Sequence, residues 1–408
     1  MLNAIWIGFF FIAALAGLWQ ATLGGHPDVF AAMMKASFDM AKTGFEISLG
    51  LAGVMTLWLG LMRIGERAGF IHGLTRLLAP LFARLMPGVP RDHPALGAIT
   101  MNMAANMLGL DNAATPLGLK AMRELQTLNP QPERATDAQI LFLVLNASSV
   151  TVFPLAVFTY RAQLGAADPT DVFLPILIAT YCSTLAGLLA VALVQRLRLF
   201  DAVVLGYLAA ISAGVVGLVA LVAGPAEQMQ ARSALLSNGL LFGLIITFLG
   251  VAAWRRVDAY ASFIDGAKEG FSTAVQIIPY LIAMLVAIGV LRASGALELA
   301  LDGLRALVHG LGFDARWVEA VPTMLLKPLS GSGARGMMVE TLQTFGADSF
   351  AGRLASIVQG STETTFYVLA VYFGSVGVRY PRHAVACALC ADAAGFAAAI
   401  TVAYAFFG

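Results

Sequence analysis

Residues 146–153 read NASSVTVF, and residues 359–366 read QGSTETTF. Both stretches are short and rich in amide and hydroxyl groups. Each interrupts an apolar run, 138–160 in one case and about 354–376 in the other. A run of roughly 20 apolar residues is long enough to cross a bilayer as a helix. Lipid offers the backbone no hydrogen-bond partner, so a polar interruption survives there only when it is buried in protein or lines a cavity. The two stretches therefore predict two broken transmembrane helices.

Working outward, further apolar runs occupy 1–25, 47–62 (with its flanks), 172–195, 202–226, 233–254, 270–291 and 384–407. The first lacks a basic leader region and is long enough to span, unlike a signal peptide. With the two broken helices this makes nine expected spans. Composition agrees: of 408 residues, 59% are hydrophobic and 12% charged, about half the usual charged share. A soluble globule could not hide that apolar surface, which excludes a cytosolic enzyme and a disordered chain. With 25 basic and 24 acidic residues there is no polybasic patch for nucleic acid. Cys182, Cys387 and Cys390 lie in apolar runs, and the CxxC formed by the last two reads as packing rather than redox chemistry. The five histidines have no metal-ligand spacing. The fold class is an all-α polytopic membrane protein, and no enzymatic residue set is present.

Other segments are apolar without being spans. FIHGLTRLLAPLFARLM (70–86) and ALELALDGLRALV (296–308) have one apolar and one charged face, as interfacial helices do. Residues 93–128 read as two helical pieces joined by polar, Pro-containing backbone, and 317–344 repeat this with KPLSGSG (327–333) at the break. Both are expected to be re-entrant hairpins.

The halves also resemble each other. DMAKTGF (39–45) matches DGAKEGF (265–271), RAG (67–69) matches ASG (293–295), and ELQT (124–127) matches TLQT (341–344). NASSVTVF matches QGSTETTF, and CSTLAG (182–187) matches CADAAG (390–395). Five matches in one order indicate an internal repeat. Five expected crossings separate the opening spans of the two repeats, an odd number, so the second repeat is expected to be inverted. Arg63, Arg67, Arg76, Arg84, Arg91, Arg196, Arg198, Arg255, Arg256, Arg379 and Arg382 fall on one side, which is then cytoplasmic. The N-terminus would be inside and the C-terminus outside. Hairpin 93–128 would enter from the cytoplasm and hairpin 317–344 from the far side. Opposed hairpins, inverted repeats and broken helices are an architecture of secondary transporters, whose sites lie near the midplane. No GxxxxGKS loop is present, which disfavours an ATP-driven pump.

Longer motifs then become informative. NMLGLDNAATPLGLKAM (106–122) resembles the spore maturation protein A family, and KPLSGSGARGMMVE (327–340) with GSTETTFYVLAVYFGSVGVRYPRHA (360–384) resembles the spore maturation protein B family. The chain looks like a fusion of the two: an A-like Gate repeat over 1–198, connecting helices over 199–257 and a B-like Gate repeat over 258–408. Both belong to the nucleoside recognition, or Gate-domain, group. That group is similar to the core of concentrative nucleoside transporters and includes proteins implicated in moving dipicolinate into spores. The resemblance implies a sodium site at Asn106, Asp111, Asn146, Ser149 and Thr151. The same amide and hydroxyl groups also serve to cap broken helices and join neighbours.

The residues suggest a solute site as well. Asn112 and Thr115 follow the first hairpin turn. Ser330, Ser332, Gly333 and Arg335 surround the second, where a half-helix N-terminus would favour an anion. The alternative there is that the glycines merely permit the turn. Gln359, Ser361, Thr362 and Glu363 occupy the second break, and Asp392 lies in the last span. A carboxylate inside a span costs roughly 2.5–3.5 kcal/mol on insertion scales, so each acid needs a partner or a wet cavity. Their repeat mates are Val150 for Glu363 and Thr184 for Asp392, neither of them acidic. Glu363 could bind solute, carry a proton, or pair with Arg335 or Lys327. Asp39–Lys42 and Asp265–Lys268 are expected to be i,i+3 ion pairs. The leading expectation is an inner-membrane transporter of a small polar or anionic solute, coupled to Na+ or H+. The alternative is a non-transporting binding module in envelope or spore-core maturation. Dimers and trimers both occur among such folds, and no motif chooses between a homo-oligomer and a single copy.

Overall fold

The computed structural model describes residues 2–109, 111–149, 151–224 and 226–408, and among these the side chains of all but Leu2, Asp111, Asn112, Ala113, Ala226 and Glu227. Val150 lies outside the described residues. The chain is helical throughout, in the order α1 (Leu2–Thr22), α2 (Val29–Arg67), α3 (Phe70–Leu85), α4 (Pro94–Met107), α5 (Asp111–Thr127), α6 (Asp137–Ala147), α7 (Leu155–Gln163), α8 (Phe173–Gln195) and α9 (Ala202–Val222). Then follow α10 (Ala226–Trp254), α11 (Ala259–Ala293), α12 (Ala296–Gly310), α13 (Val321–Leu326), α14 (Gly331–Phe345), α15 (Phe350–Ser361), α16 (Thr365–Ser375) and α17 (Ala384–Phe407).

Seven of these helices are long and apolar enough to cross a membrane: α1, α2, α8, α9, α10, α11 and α17. The segments of the other two expected spans form the helix pairs α6/α7 and α15/α16, interrupted where the sequence predicted, and none of these four helices is long enough to span by itself. The Thr136 and Gln139 side chains form a capping box that starts α6. The hairpins appear as α4/α5 and α13/α14. The first limb of the second hairpin is only six residues long and follows a 3₁₀ turn, Arg316–Ala320, with Pro322 at the junction. The matched segments 39–45 and 265–271 are not separate elements. They continue into the spans as the 39-residue α2 and the 35-residue α11.

The chain forms two compact units, residues 1–57, 156–169 and 268–359 in the first, and 58–155, 170–267 and 360–408 in the second. In the first unit, α1 lies along α11: the Trp6 indole donates to the Ala283 carbonyl and the Gln20 amide to the Ser294 carbonyl, both at 2.9 Å. Met284, Ile288, Leu326, Ala334 and Met337 then bury the second hairpin against α11.

The largest fully buried side chain of this unit is a cation, Arg161 on α7. Its guanidinium donates to the carbonyls of Ala347 (2.7 Å) and Pro169 (3.3 Å) and to the Asp348 carboxylate (3.2 Å). Asp348 also accepts from the Ala167 N–H at 2.9 Å. A buried charge is tolerated when it is paired and hydrogen-bonded in this way. A second network joins Arg292 to Glu298 and Glu340, and Arg305 to Glu298 and Glu319. The expected i,i+3 pairs are not the ones made. Lys42 reaches Glu46 at i,i+4 (3.8 Å) instead of Asp39. In the second unit Asp265 takes Arg67 at 2.8 Å, a neighbouring helix's cation in better reach than its own.

The second unit is centred on α8 and α17. Their contact is lined by small residues, with Ala384, Ala388, Ala391, Gly395, Ala399 and Ala403 forming one buried stripe on α17. Small side chains let helix backbones approach closely, the main source of association in lipid. Gly395 is the tightest point: a Cβ there would lie 2.8 Å from Thr362 Cγ2 and 3.0 Å from Ser183 Cβ. By contrast α9 buries only Val204 and Val222 among its described residues, as a lipid-facing helix does.

Removing Arg161 would take its donor from Asp348 and from the carbonyls of Ala347, Asp168 and Pro169. Arg161→Ala is expected to cost about 3–5 kcal/mol, read as a large fall in the melting temperature of the detergent-solubilised protein. Gly395→Leu must push α8 or the second break aside, at about 1–3 kcal/mol, with Gly395→Ala intermediate in the same melt.

Candidate functional site

Two helix breaks meet inside the second unit. The first runs from Ser148 to Pro154, between α6 and α7, and the second from Thr362 to Thr364, between α15 and α16. The Glu363 N–H donates to the Ala147 carbonyl at 2.9 Å, so each break supplies the hydrogen bond the other lacks. Ser149 sits at φ +55, left-handed backbone that a non-glycine residue adopts at a cost of about 1 kcal/mol or more.

The tip of the first hairpin closes on the first break. The Val152 N–H donates to the Met107 carbonyl at 2.9 Å. Gly109 turns the tip at φ +70, and a Cβ there would press on the Phe153 carbonyl at 2.6 Å. Asparagines tie the same place together. The Asn106 amide donates to Asn146 Oδ1 (2.9 Å) and to Asn102 Oδ1 (3.3 Å), and Asn102 donates to the Ala114 carbonyl (2.7 Å). The Ser149 hydroxyl donates to Thr151 at 3.2 Å. Four of the five residues expected to hold an ion, Asn106, Asn146, Ser149 and Thr151, are thus gathered where hairpin and break touch. The side chain of the fifth, Asp111, lies outside the described residues, as does that of Asn112.

Each break is supported by a long helix later in the chain. On α8, Thr184 accepts from Ser148 at 3.1 Å, and the Thr180 hydroxyl donates to the Ser149 carbonyl. On α17, Asp392 accepts from the Thr365 hydroxyl at 2.7 Å. Asp392 is 2% exposed, so this carboxylate is held deep in the unit. The hydroxyls of Ser183 and Thr362, which crowd Gly395, are buried with no hydrogen-bond partner among the described residues. Unpaired hydroxyls beside a buried carboxylate are costly unless something polar completes the set.

Glu363 is half-buried. Lys327 and Arg335, the expected alternative partners of its carboxylate, belong to the first unit. Thr115 acts locally, since together with Asn102 it hydrogen-bonds the Tyr372 hydroxyl of α16. Tyr372 was missed in the sequence because a tyrosine in an apolar helix ordinarily signals interface or core packing. Thr180 and Ser183 were missed for a similar reason, since lone hydroxyls in a span usually bond their own helix.

The second hairpin lies in the first unit. Ser330 caps α14, accepting from the Gly333 N–H at 3.0 Å and lying 3.3 Å from the Ser332 hydroxyl. Arg335 donates to the Gly331 carbonyl (3.2 Å) and hydrogen-bonds the buried Tyr160 phenol. Lys327 is buried. Gln359, the last residue of this unit, buries its Oε1 without a partner among the described residues, and Ser361 is buried at the end of α15. The structure therefore gathers Ser149, Thr362, Glu363 and Asp392 in one unit, and gives Ser330 and Arg335 local structural bonds in the other.

The family model for nucleoside recognition, Gate, matches residues 48–164 and 274–379, more than half of the chain. Spore maturation protein B of Bacillus subtilis (strain 168) is 47% identical over 154 residues, 38% of this chain and 85% of that protein. Spore maturation protein A of the same organism is 38% identical over 189 residues, 46% of this chain and 93% of that protein. Two separate relatives, each matched over most of its length, fit the expected fusion. No solved structure matches. The matched segments contain both hairpins and both breaks, and the chain, a multi-pass membrane protein, belongs to the nucleoside recognition, or Gate, family.

Proposed function

We propose that this chain is a secondary transporter of the bacterial inner membrane, with its N-terminus in the cytoplasm and its C-terminus outside. It would move a small polar or anionic organic solute, nucleoside-like or a carboxylate, by alternating access. The observation that carries this reading is the meeting of two helix breaks at Ala147 and Glu363, with buried hydroxyls and a buried carboxylate around them. Non-helical backbone in the interior of an apolar bundle is expensive, and transporters retain it where solute or ion is held.

In this reading Glu363 accepts hydrogen bonds from the solute, and Thr362 and Ser183 complete the contact with hydroxyls. Asp392, fixed by Thr365, sets the charge of the pocket. Asn106, Asn146, Ser149 and Thr151, with Asp111, are the proposed sodium set, because amide and hydroxyl oxygens at a broken helix can replace part of a small cation's water shell. If the driving ion is the proton, Glu363 is its carrier. The names of the two relatives, spore maturation proteins A and B, support a role in spore maturation and specify no solute. A binding module without transport is the competing reading, and it shares every residue above.

Reconstituted protein decides between them. Counterflow into liposomes would be measured with nucleosides, dicarboxylates, amino acids and dipicolinate, each under a sodium, potassium or pH gradient. One chemical class is expected to exchange, and Glu363→Gln is expected to lower its flux at least about tenfold with an unchanged melting temperature. Asn106→Ala should abolish the sodium dependence and also lower the melting temperature, because it leaves Asn146 and Asn102 without their buried donor, a loss of about 1–3 kcal/mol. Binding of a solute by the wild type without counterflow of any class would overturn transport and leave the binding module.

A further inference from the structure

A polar cavity lies in the second unit, away from the helix breaks. Its volume is about 910 Å³. It is walled by the end of α3 and the loop that follows, the C-terminal end of α5, the start of α6, and the turn between α8 and α9. Consecutive apolar helices of 23 and 21 residues flank that turn, so the cavity sits where the chain leaves the hydrocarbon.

Five arginines line it, Arg84, Arg91, Arg196, Arg198 and Arg382, against two aspartates, Asp137 and Asp201. The aspartates are already used. Arg84 lies 3.5 Å from Asp201, and Arg382 lies 2.7 Å from Asp137. Arg91, Arg196 and Arg198 make no ion pair among the described residues, which leaves three uncompensated guanidiniums around one cavity. Arg196 ends α8 in left-handed backbone at φ 54, a position where glycine is the low-cost residue. An arginine there keeps a cation at the mouth of the cavity at the expense of backbone strain.

The surroundings are apolar in a way a site for a free anion does not require. Leu193 and Phe200, on either side of Arg196 and Arg198, are 81% and 92% exposed. Leu197 between them lines the cavity. The amphipathic α3 reaches the same place and leaves Leu77 60% exposed. Guanidiniums that can grip phosphate oxygens in pairs, beside aliphatic and aromatic side chains at the edge of a bilayer, match the two ends of one molecule.

We propose that this cavity binds the headgroup of an anionic phospholipid, with its phosphate on Arg91, Arg196 and Arg198 and its acyl chains along Leu193 and Phe200. Basic pockets between membrane helices recognise acidic headgroups in this way, and each arginine near the surface adds to the attraction. The shared chemistry is a phosphate anion. The exposed apolar flank is what favours a lipid over a free phosphate ion.

The test uses the full-length protein in mild detergent, exchanged with phosphatidylglycerol, phosphatidylcholine or inorganic phosphate. The readouts are native mass spectrometry of retained lipid and thermal melting. Phosphatidylglycerol is expected to be retained about tenfold over phosphatidylcholine and to raise the melting temperature. The combined variant Arg91→Gln, Arg196→Gln, Arg198→Gln should bring that preference down to about onefold, and the corresponding triple Lys variant, which keeps the charge but not the paired donors, should keep part of it. All three positions are exposed, so the Gln variant is expected to melt like wild type in phosphatidylcholine. Should it fail to fold, the wild-type preference and the Lys variant still decide the matter. Equal retention of the two lipids by wild type would overturn the proposal, and so would a Gln variant that keeps the preference. A melting shift from millimolar inorganic phosphate equal to that from the lipid would overturn the lipid assignment in favour of a phosphate-ion site.

Discussion

The second unit depends on one constraint: a helix interrupted inside apolar surroundings must find partners for the backbone groups it releases. Water cannot supply them at that depth, and each unmet group costs several kcal/mol. The protein answers by letting its interruptions satisfy one another. The Glu363 N–H takes the Ala147 carbonyl, and the Val152 N–H takes the Met107 carbonyl. The second break, the first break and the tip of the first hairpin are thereby linked by main-chain bonds. Side chains add to this at Asn106 and Asn146, and Thr115 with Asn102 fixes Tyr372 of α16 to the same hairpin.

Close approach of α8 and α17 makes the arrangement fit. The alanine and glycine stripe of α17 brings Ser183 and Thr362 to within contact of Gly395. One helix turn away, Thr365 secures Asp392. Bulky side chains on the stripe would hold these groups apart and open the interior. Packing in the bundle and chemistry at the breaks are thus one problem, and small residues solve both. The division of labour between the repeats is even in form and unequal in charge. Thr184 supports the first break with a hydroxyl, and Asp392 supports the second with a carboxylate.

Much of this was legible beforehand. Seven apolar helices, two hairpins and two interruptions follow from where apolar runs begin, end and turn polar, because the cost of placing a residue in hydrocarbon depends mainly on the residue itself. NASSVTVF and QGSTETTF gave the breaks, and the Lys327 to Gly333 segment gave the second hairpin turn. Contacts between side chains were less legible. Lys42 and Asp265 chose partners other than the near neighbours that helical spacing offered. The bonds of Arg335 to the Tyr160 phenol and the Gly331 carbonyl had no signal in the sequence either. Arg161, alone in an apolar helix, gave no sign that its counter-charge lay at Asp348, nearly half the chain away.

By itself the sequence determined that this protein is helical, lives in a membrane and interrupts two of its apolar segments. Those properties are local, set by side-chain transfer energy and by what a single stretch of backbone tolerates. Tertiary structure alone decided which polar groups face one another: Glu363 over Ala147, Thr365 on Asp392, Ser183 and Thr362 about Gly395, and three arginines around one cavity. A hydrogen bond is won or lost over less than an ångström, and the register that brings two distant segments to that distance is fixed only when the helices pack.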